Sequence, residues 1–99
     1  ILTIAGDFPS DQYALETHIR SRGLDPEQTL VEVHPGANGL IDTADIQEAI
    51  ARHADQLALV MMSGLNYYTG QVYDMKAIAD TAYEYGIPVG FDLAHAIGN

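Results

Sequence analysis

The sequence predicts an α/β fold, part of a mainly parallel sheet with helices on its faces, in a three-layer αβα arrangement. Three observations lead there. Strand-like apolar runs alternate with stretches of helical periodicity, the third of those runs is apolar almost throughout, and glycine or proline punctuates the segments. The order reads β-α-β-α-β-α-β.

Residues 1–5 are apolar and β-branched, and they give way to Gly6-Asp7-Phe8-Pro9-Ser10-Asp11, a stretch dense in turn formers. Ser10 or Asp11 is placed to N-cap a helix over residues 12–22, with Leu15 and Ile19 on one face and Gly23 as its stop. Residues 29–34 form the second strand and residues 35–39 a loop. Asp42 or Thr43 then caps a helix in which Ile46, Ala49, Ile50 and His53 share a face. Residues 57–62 read as a strand buried on both sides. They lead into Ser63-Gly64-Leu65-Asn66-Tyr67-Tyr68-Thr69-Gly70-Gln71, a loop too rich in glycine and tyrosine to be mere spacing. Asp74 caps a third helix carrying Met75, Ile78, Ala79 and Ala82, and Gly86 ends it. Ile87, Val89, Phe91 and Leu93 then alternate with Pro88, Gly90 and Asp92, so the last strand carries an acid at its C-terminal end.

The 99 residues, 47% hydrophobic, suffice for one core, and with no internal linker or repeat residues 1–99 are read as a single segment. The chain starts inside an apolar run and stops just past the last candidate site, so it is expected to be an incomplete piece of a larger domain. Fourteen acidic against four basic side chains give a net charge of -10, which repels a phosphate backbone and argues against nucleic acid as a partner. There is no cysteine to build a disulfide or thiolate site. No apolar run approaches the ~20 residues of a membrane span, and no basic start marks a signal peptide. A soluble, cytoplasmic protein is the expectation.

Polar clusters follow the first, third and fourth strands, and in a parallel sheet those ends converge on one edge, where open α/β sheets bind ligands. Each cluster also has a plain reading: Ser10 and Asp11 as N-caps, Tyr67 and Tyr68 as loop fasteners, Asp92 as a turn cap, His95 as a structural histidine. Lys76 reads as a solvated charge. His18, His34 and His53 share no spacing, so no metal site is expected. The G-x-G-x-x-G, G-x-x-x-x-G-K-[ST] and G-x-S-x-G signatures are all missing from the sequence.

Taken in order, Phe8-Pro9-Ser10-Asp11-Gln12-Tyr13, Ser63 to Gln71 as written above, and Gly90-Phe91-Asp92-Leu93-Ala94-His95-Ala96-Ile97-Gly98-Asn99 resemble the kynureninase family. Those are pyridoxal-phosphate enzymes of the aspartate aminotransferase fold. The resemblance implies hydrolysis of L-kynurenine, and in some members its 3-hydroxy derivative, to an anthranilate and L-alanine, by a homodimer. It also implies a cofactor site of Phe8, Pro9, Ser10, Asp11, Ser63, Asp92 and His95. Phe8 would stack on the pyridine ring, Asp11 would lie beside it, Asp92 would bind its nitrogen, and Ser63 and His95 would approach its 3′-oxygen side. The lysine that binds the cofactor covalently would lie beyond Asn99 and the phosphate loop before Ile1, so the segment alone should be inactive. A cysteine desulfurase-like lyase of the same fold and a non-catalytic acidic α/β binding module stand as alternatives.

Overall fold

The computed structural model describes residues 1–96; Ile97, Gly98 and Asn99, which end the third motif, lie outside the described residues. The elements are β1 (Leu2–Ile4), α1 (Pro9–Ser21), α2 (Pro26–Thr29), β2 (Val31–Val33), α3 (Thr43–His53), β3 (Val60–Ser63), α4 (Met75–Glu84) and β4 (Val89–Asp92). The strands form one sheet in the order β2-β1-β3-β4, and every neighbouring pair is parallel. The expected α/β alternation is therefore present, with α2 as an addition.

Strand order fixes where the helices go. From β1 the chain steps to one side to form β2, then crosses back to β3 and continues to β4. Right-handed crossovers consequently place α1 on one face and α3 and α4 on the other. Gln47 Nε2 on α3 donates to Thr81 Oγ1 on α4 at 2.9 Å. The core lies on that second face: Leu2, Ile4, Val60 and Met62 from the sheet meet Ile46 and Ile50 of α3 and Ile78 and Ala82 of α4. α1 buries only Ile19.

Several boundaries differ from the expectation, each for a local reason. α1 begins at Pro9 with Phe8 in the N-cap position, so neither Ser10 nor Asp11 is its cap. The fixed φ of proline suits the first helical position, and the amides of Asp11 and Gln12 already bond to the Phe8 carbonyl at 3.0 and 3.2 Å. β3 starts at Val60 rather than at residue 57, because the Leu57 amide donates back to the His53 carbonyl at 3.0 Å and ends α3. β4 likewise starts at Val89, since the Ile87 amide closes α4 on the Ala82 carbonyl. Asp42 occupies the N-cap of α3 without a side-chain bond, whereas Asp74 caps α4 by accepting from the Ala77 amide. In α2, Asp25 accepts from the Glu27 amide and Pro26 opens the turn.

Truncating the α3 contribution to this core has a defined cost. Ile46→Ala or Ile50→Ala, both at fully buried positions, should destabilise the purified protein by about 2–5 kcal/mol. Tyr83→Ala, at an 85% exposed position, should stay within about 0.5 kcal/mol. Urea unfolding of the three variants measures the contrast.

Candidate functional site

β1 and β3 flank the point where the chain reverses direction across the sheet, and their C-terminal ends open a crevice there. Gly6 turns the chain sharply out of β1 with φ at +74°, a conformation glycine adopts without strain. Asp7 follows, 3% exposed. Its Oδ1 accepts from the Phe8 amide at 2.9 Å and the Ser63 hydroxyl at 2.6 Å, and its Oδ2 accepts from the Ser63 amide at 2.9 Å. One side chain thus joins the exit of β1 to the end of β3. In the adjacent ladder Ser63 is in register with Asp92, and Gly64 N–H donates to the Asp92 carbonyl at 3.0 Å. A Cβ on Gly64 would lie 2.7 Å from Leu93 Cδ2 and 2.9 Å from Met75 Sδ, so a side chain there would have to push both of these flexible tips aside.

Three rings gather above these strand ends. The Phe8 ring meets Tyr67 edge-on at 5.1 Å and His95 at 4.9 Å, and Tyr67 lies 6.2 Å from His95. His95 reaches this cluster because Asp92 Oδ1 accepts from the Ala94 amide at 2.9 Å, folding residues 93–96 into a turn. The turn-capping role of Asp92 is thus real, and it coexists with its position at the sheet edge.

Asp11, one turn into α1, faces Asp92. The Asp11 carboxyl is pushed up to about 6, first by burial, then by its hydrogen bond with Asp92 and by repulsion from Asp92 and Asp7, against a smaller opposing effect of His95. Asp92 moves the other way: the Ala94 amide, the Asp11 side chain and His95 hold it below the ordinary carboxylate range against a smaller burial effect. Their opposite displacements mean that below about pH 6 the proton of the pair resides on Asp11 and Asp92 is the carboxylate. Asp11 Oδ2 is buried with no protein donor on it.

The tyrosine loop is a braced structure. Leu65 and Val72 form an antiparallel bridge. Asn66 Oδ1 accepts from the amides of Tyr68 and Thr69 at 2.9 Å. Gln71 pairs in both directions with Ile41, accepting from its amide at 3.0 Å and donating to its carbonyl at 2.6 Å. Tyr67 is thereby held against Phe8 while Tyr68 stands 86% exposed.

Of the residues singled out in the sequence, Phe8, Asp11, Asp92 and His95 come together, with Ser63 buried beneath them on β3. Pro9 and Ser10 are exposed on the first turn of α1. Lys76 is solvated and pairs with Asp80. Two features escape a reading of the sequence: Asp7, which resembles any other turn residue there, and the contact of Tyr67 with Phe8. A cleft of about 410 Å³ beneath the tyrosine loop, lined by Ala5, Pro35, Ile41, Asn66 and Tyr67 among others, adjoins the rings. Another of about 420 Å³ lies at the opposite ends of the strands, by Ile1, Val31 and Leu57. Asp11 and Asp92 line neither.

Parallel topology, a switch-point crevice and acidic and aromatic groups on one strand edge agree with the sequence profile of the DegT/DnrJ/EryC1/StrS aminotransferase family, which matches residues 14–99; the chain belongs to that family. Among individual proteins it is similar to the kynureninase of Stenotrophomonas maltophilia (strain K279a), with 50% identity across 100% of this chain and 24% of that protein. It is 49% identical, with the same coverage, to the kynureninases of Xanthomonas euvesicatoria pv. vesicatoria (strain 85-10) and Xanthomonas campestris pv. campestris (strain B100). The chain spans about a quarter of the length of these curated relatives.

The raised pKa of Asp11 makes stability depend on pH. An acid whose folded value is raised stabilises the fold fully below its unfolded value and loses that contribution as pH climbs through the folded one. For Asp11 the loss falls between its ordinary 3.8 and about 6. Asp11→Asn in the purified, cofactor-free protein should flatten the decline in urea midpoint across that window. An unchanged slope would show that Asp11 does not hold the proton.

Proposed function

We propose that this chain is the central part of the large domain of a kynureninase, a pyridoxal-phosphate-dependent hydrolase that splits L-kynurenine into anthranilate and L-alanine. The observation that supports this best is Asp92, kept ionised at the strand edge beside the Phe8–Tyr67–His95 rings.

The residues present fit the cofactor's chemistry. Both side-chain ion pairs among the described residues, Arg52–Glu48 and Lys76–Asp80, lie on exposed helix faces, so no lysine or arginine pairs with Asp11 or Asp92. A cationic N–H on an aromatic ring supplies both the charge and the donor such a carboxylate accepts. Bound there, pyridoxal phosphate supplies an electron-withdrawing ring that stabilises the negative charge left when the substrate's α-proton departs. Asp92 holds the proton on the ring nitrogen, since a neighbouring opposite charge favours the protonated form, and each tenfold gain in that preference corresponds to ~1.36 kcal/mol. Below about pH 6 Asp11 carries its own proton and adds no second charge beside Asp92. Phe8 offers a flat apolar face to the ring, and His95 and Ser63 serve its 3′-oxygen side. Pro9 sets the start of α1 and with it the direction of Phe8, and Ser10 follows on the exposed first turn. The covalent lysine and the phosphate-binding loop belong to parts of the protein outside this segment, which by itself should not turn over kynurenine.

The whole enzyme is proposed to be a cytoplasmic homodimer acting on a small molecule, with neither nucleic acid nor membrane as a partner. No helix among the described residues is long and apolar enough to cross a membrane. The relatives named above are all kynureninases, which weighs against a cysteine desulfurase-like lyase and against an acidic binding module.

In the full-length protein, Asp92→Ala should retain part of its cofactor yet lose at least ~100-fold in turnover. Anthranilate fluorescence during incubation with pyridoxal phosphate and L-kynurenine reports the rate. Undiminished cleavage by the variant would overturn the assignment.

A further inference from the structure

Asp7 is a buried acid for which the cofactor site described above has no use. It is 3% exposed, and both its oxygens are occupied by donors from two different segments. The third of those donors is informative. A serine hydroxyl has one proton and two lone pairs, and that of Ser63 is directed at Asp7 Oδ1 at 2.6 Å, the length of a charge-assisted bond. With its proton committed, Ser63 Oγ can offer only lone pairs to anything else. Ser63 is itself 4% exposed and fixed through its amide to the other oxygen of the same carboxylate, so it has little freedom to turn away.

We propose that Asp7 is a positioning residue that sets the polarity of the Ser63 hydroxyl, so that Ser63 meets the cofactor as a hydrogen-bond acceptor and not as a donor. This rests on the reading that the cofactor seats at this strand edge. Aspartate suits the position uniquely among close isosteres. An asparagine has one acceptor oxygen, and its amide nitrogen must face either the Ser63 N–H or the Phe8 N–H, donor against donor. With the nitrogen at the Oδ1 position it also donates to Ser63 Oγ and releases the hydroxyl proton toward the ligand side. In that orientation Asp7→Asn is a near-isosteric reversal of the hydroxyl's direction.

The test uses full-length protein loaded with pyridoxal phosphate. Two quantities are read: cofactor affinity, and the pH midpoint at which the bound cofactor's visible absorption band changes. Asp7→Asn should move that midpoint by about half to one pH unit, the size of effect an ordinary hydrogen bond exerts. Ser63→Ala should also move it, and in a Ser63→Ala background Asp7→Asn should add nothing. An equal displacement from Asp7→Asn in the absence of the hydroxyl would overturn the proposal, because Asp7 would then act by charge alone. If Asp7→Asn does not fold, Ser63→Ala decides by itself, since an unmoved midpoint with cofactor bound is incompatible with any role for the hydroxyl. Failure of the unmodified protein to bind pyridoxal phosphate would instead remove the reading of the site on which this rests.

Discussion

Parallel strands that part company at a switch point leave backbone groups without partners, and a buried amide in that state costs about 1–3 kcal/mol. β1 and β3 are joined near their N-terminal ends, where Leu2 pairs with Val60 and its amide donates to the Leu59 carbonyl. Toward the other end the Ser63 amide finds the Asp7 carboxylate. A side chain stands in for a missing strand there, and the crevice can remain open without leaving that donor unsatisfied. The start of α1, and so the placing of Phe8 and Asp11, follows from the same carboxylate through its bond to the Phe8 amide.

The chemistry at the edge depends on two acids made unequal by their surroundings. Asp92 has an amide donor on it and lies on the open side, whereas Asp11 is pressed against the protein beside Asp7. Burial and like charge therefore act mainly on one member of the pair. Below about pH 6 the pair carries a single negative charge, which one cationic ligand nitrogen can match. No group of three or more potential ligands able to hold a metal ion occurs among the described residues.

The fold is legible in the sequence because its signals are local. The spacing of Ile46 and Ile50, or of Ile78 and Ala82, encodes a buried helix face, and the apolar run ending at Met62 encodes a strand that sends Val60 and Met62 into the core. The three clusters can be placed on one edge because parallel topology leaves them nowhere else to meet. The start of α1 is harder to read because its cap is made in an unusual way: Phe8 has no side-chain acceptor, and proline chemistry at Pro9 governs the first turn. The short α2 has a usable signal in Asp25 followed by Pro26, which no apolar periodicity amplifies. Asp7 is hidden for a different reason, since its partner lies 56 residues away and nothing in the neighbourhood of either residue announces the other.

The paired bonds between the Gln71 carboxamide and the Ile41 backbone imitate one rung of a sheet, made by a side chain across 30 residues. They moor the tyrosine loop to the segment that follows β2. Changes of shape around residue 41 would therefore reach Tyr67, and through it the rings over the strand edge, His95 among them. Because His95 also acts on Asp11 and Asp92, a shift that begins at residue 41 would be felt by the two acids as well as by the rings beside them.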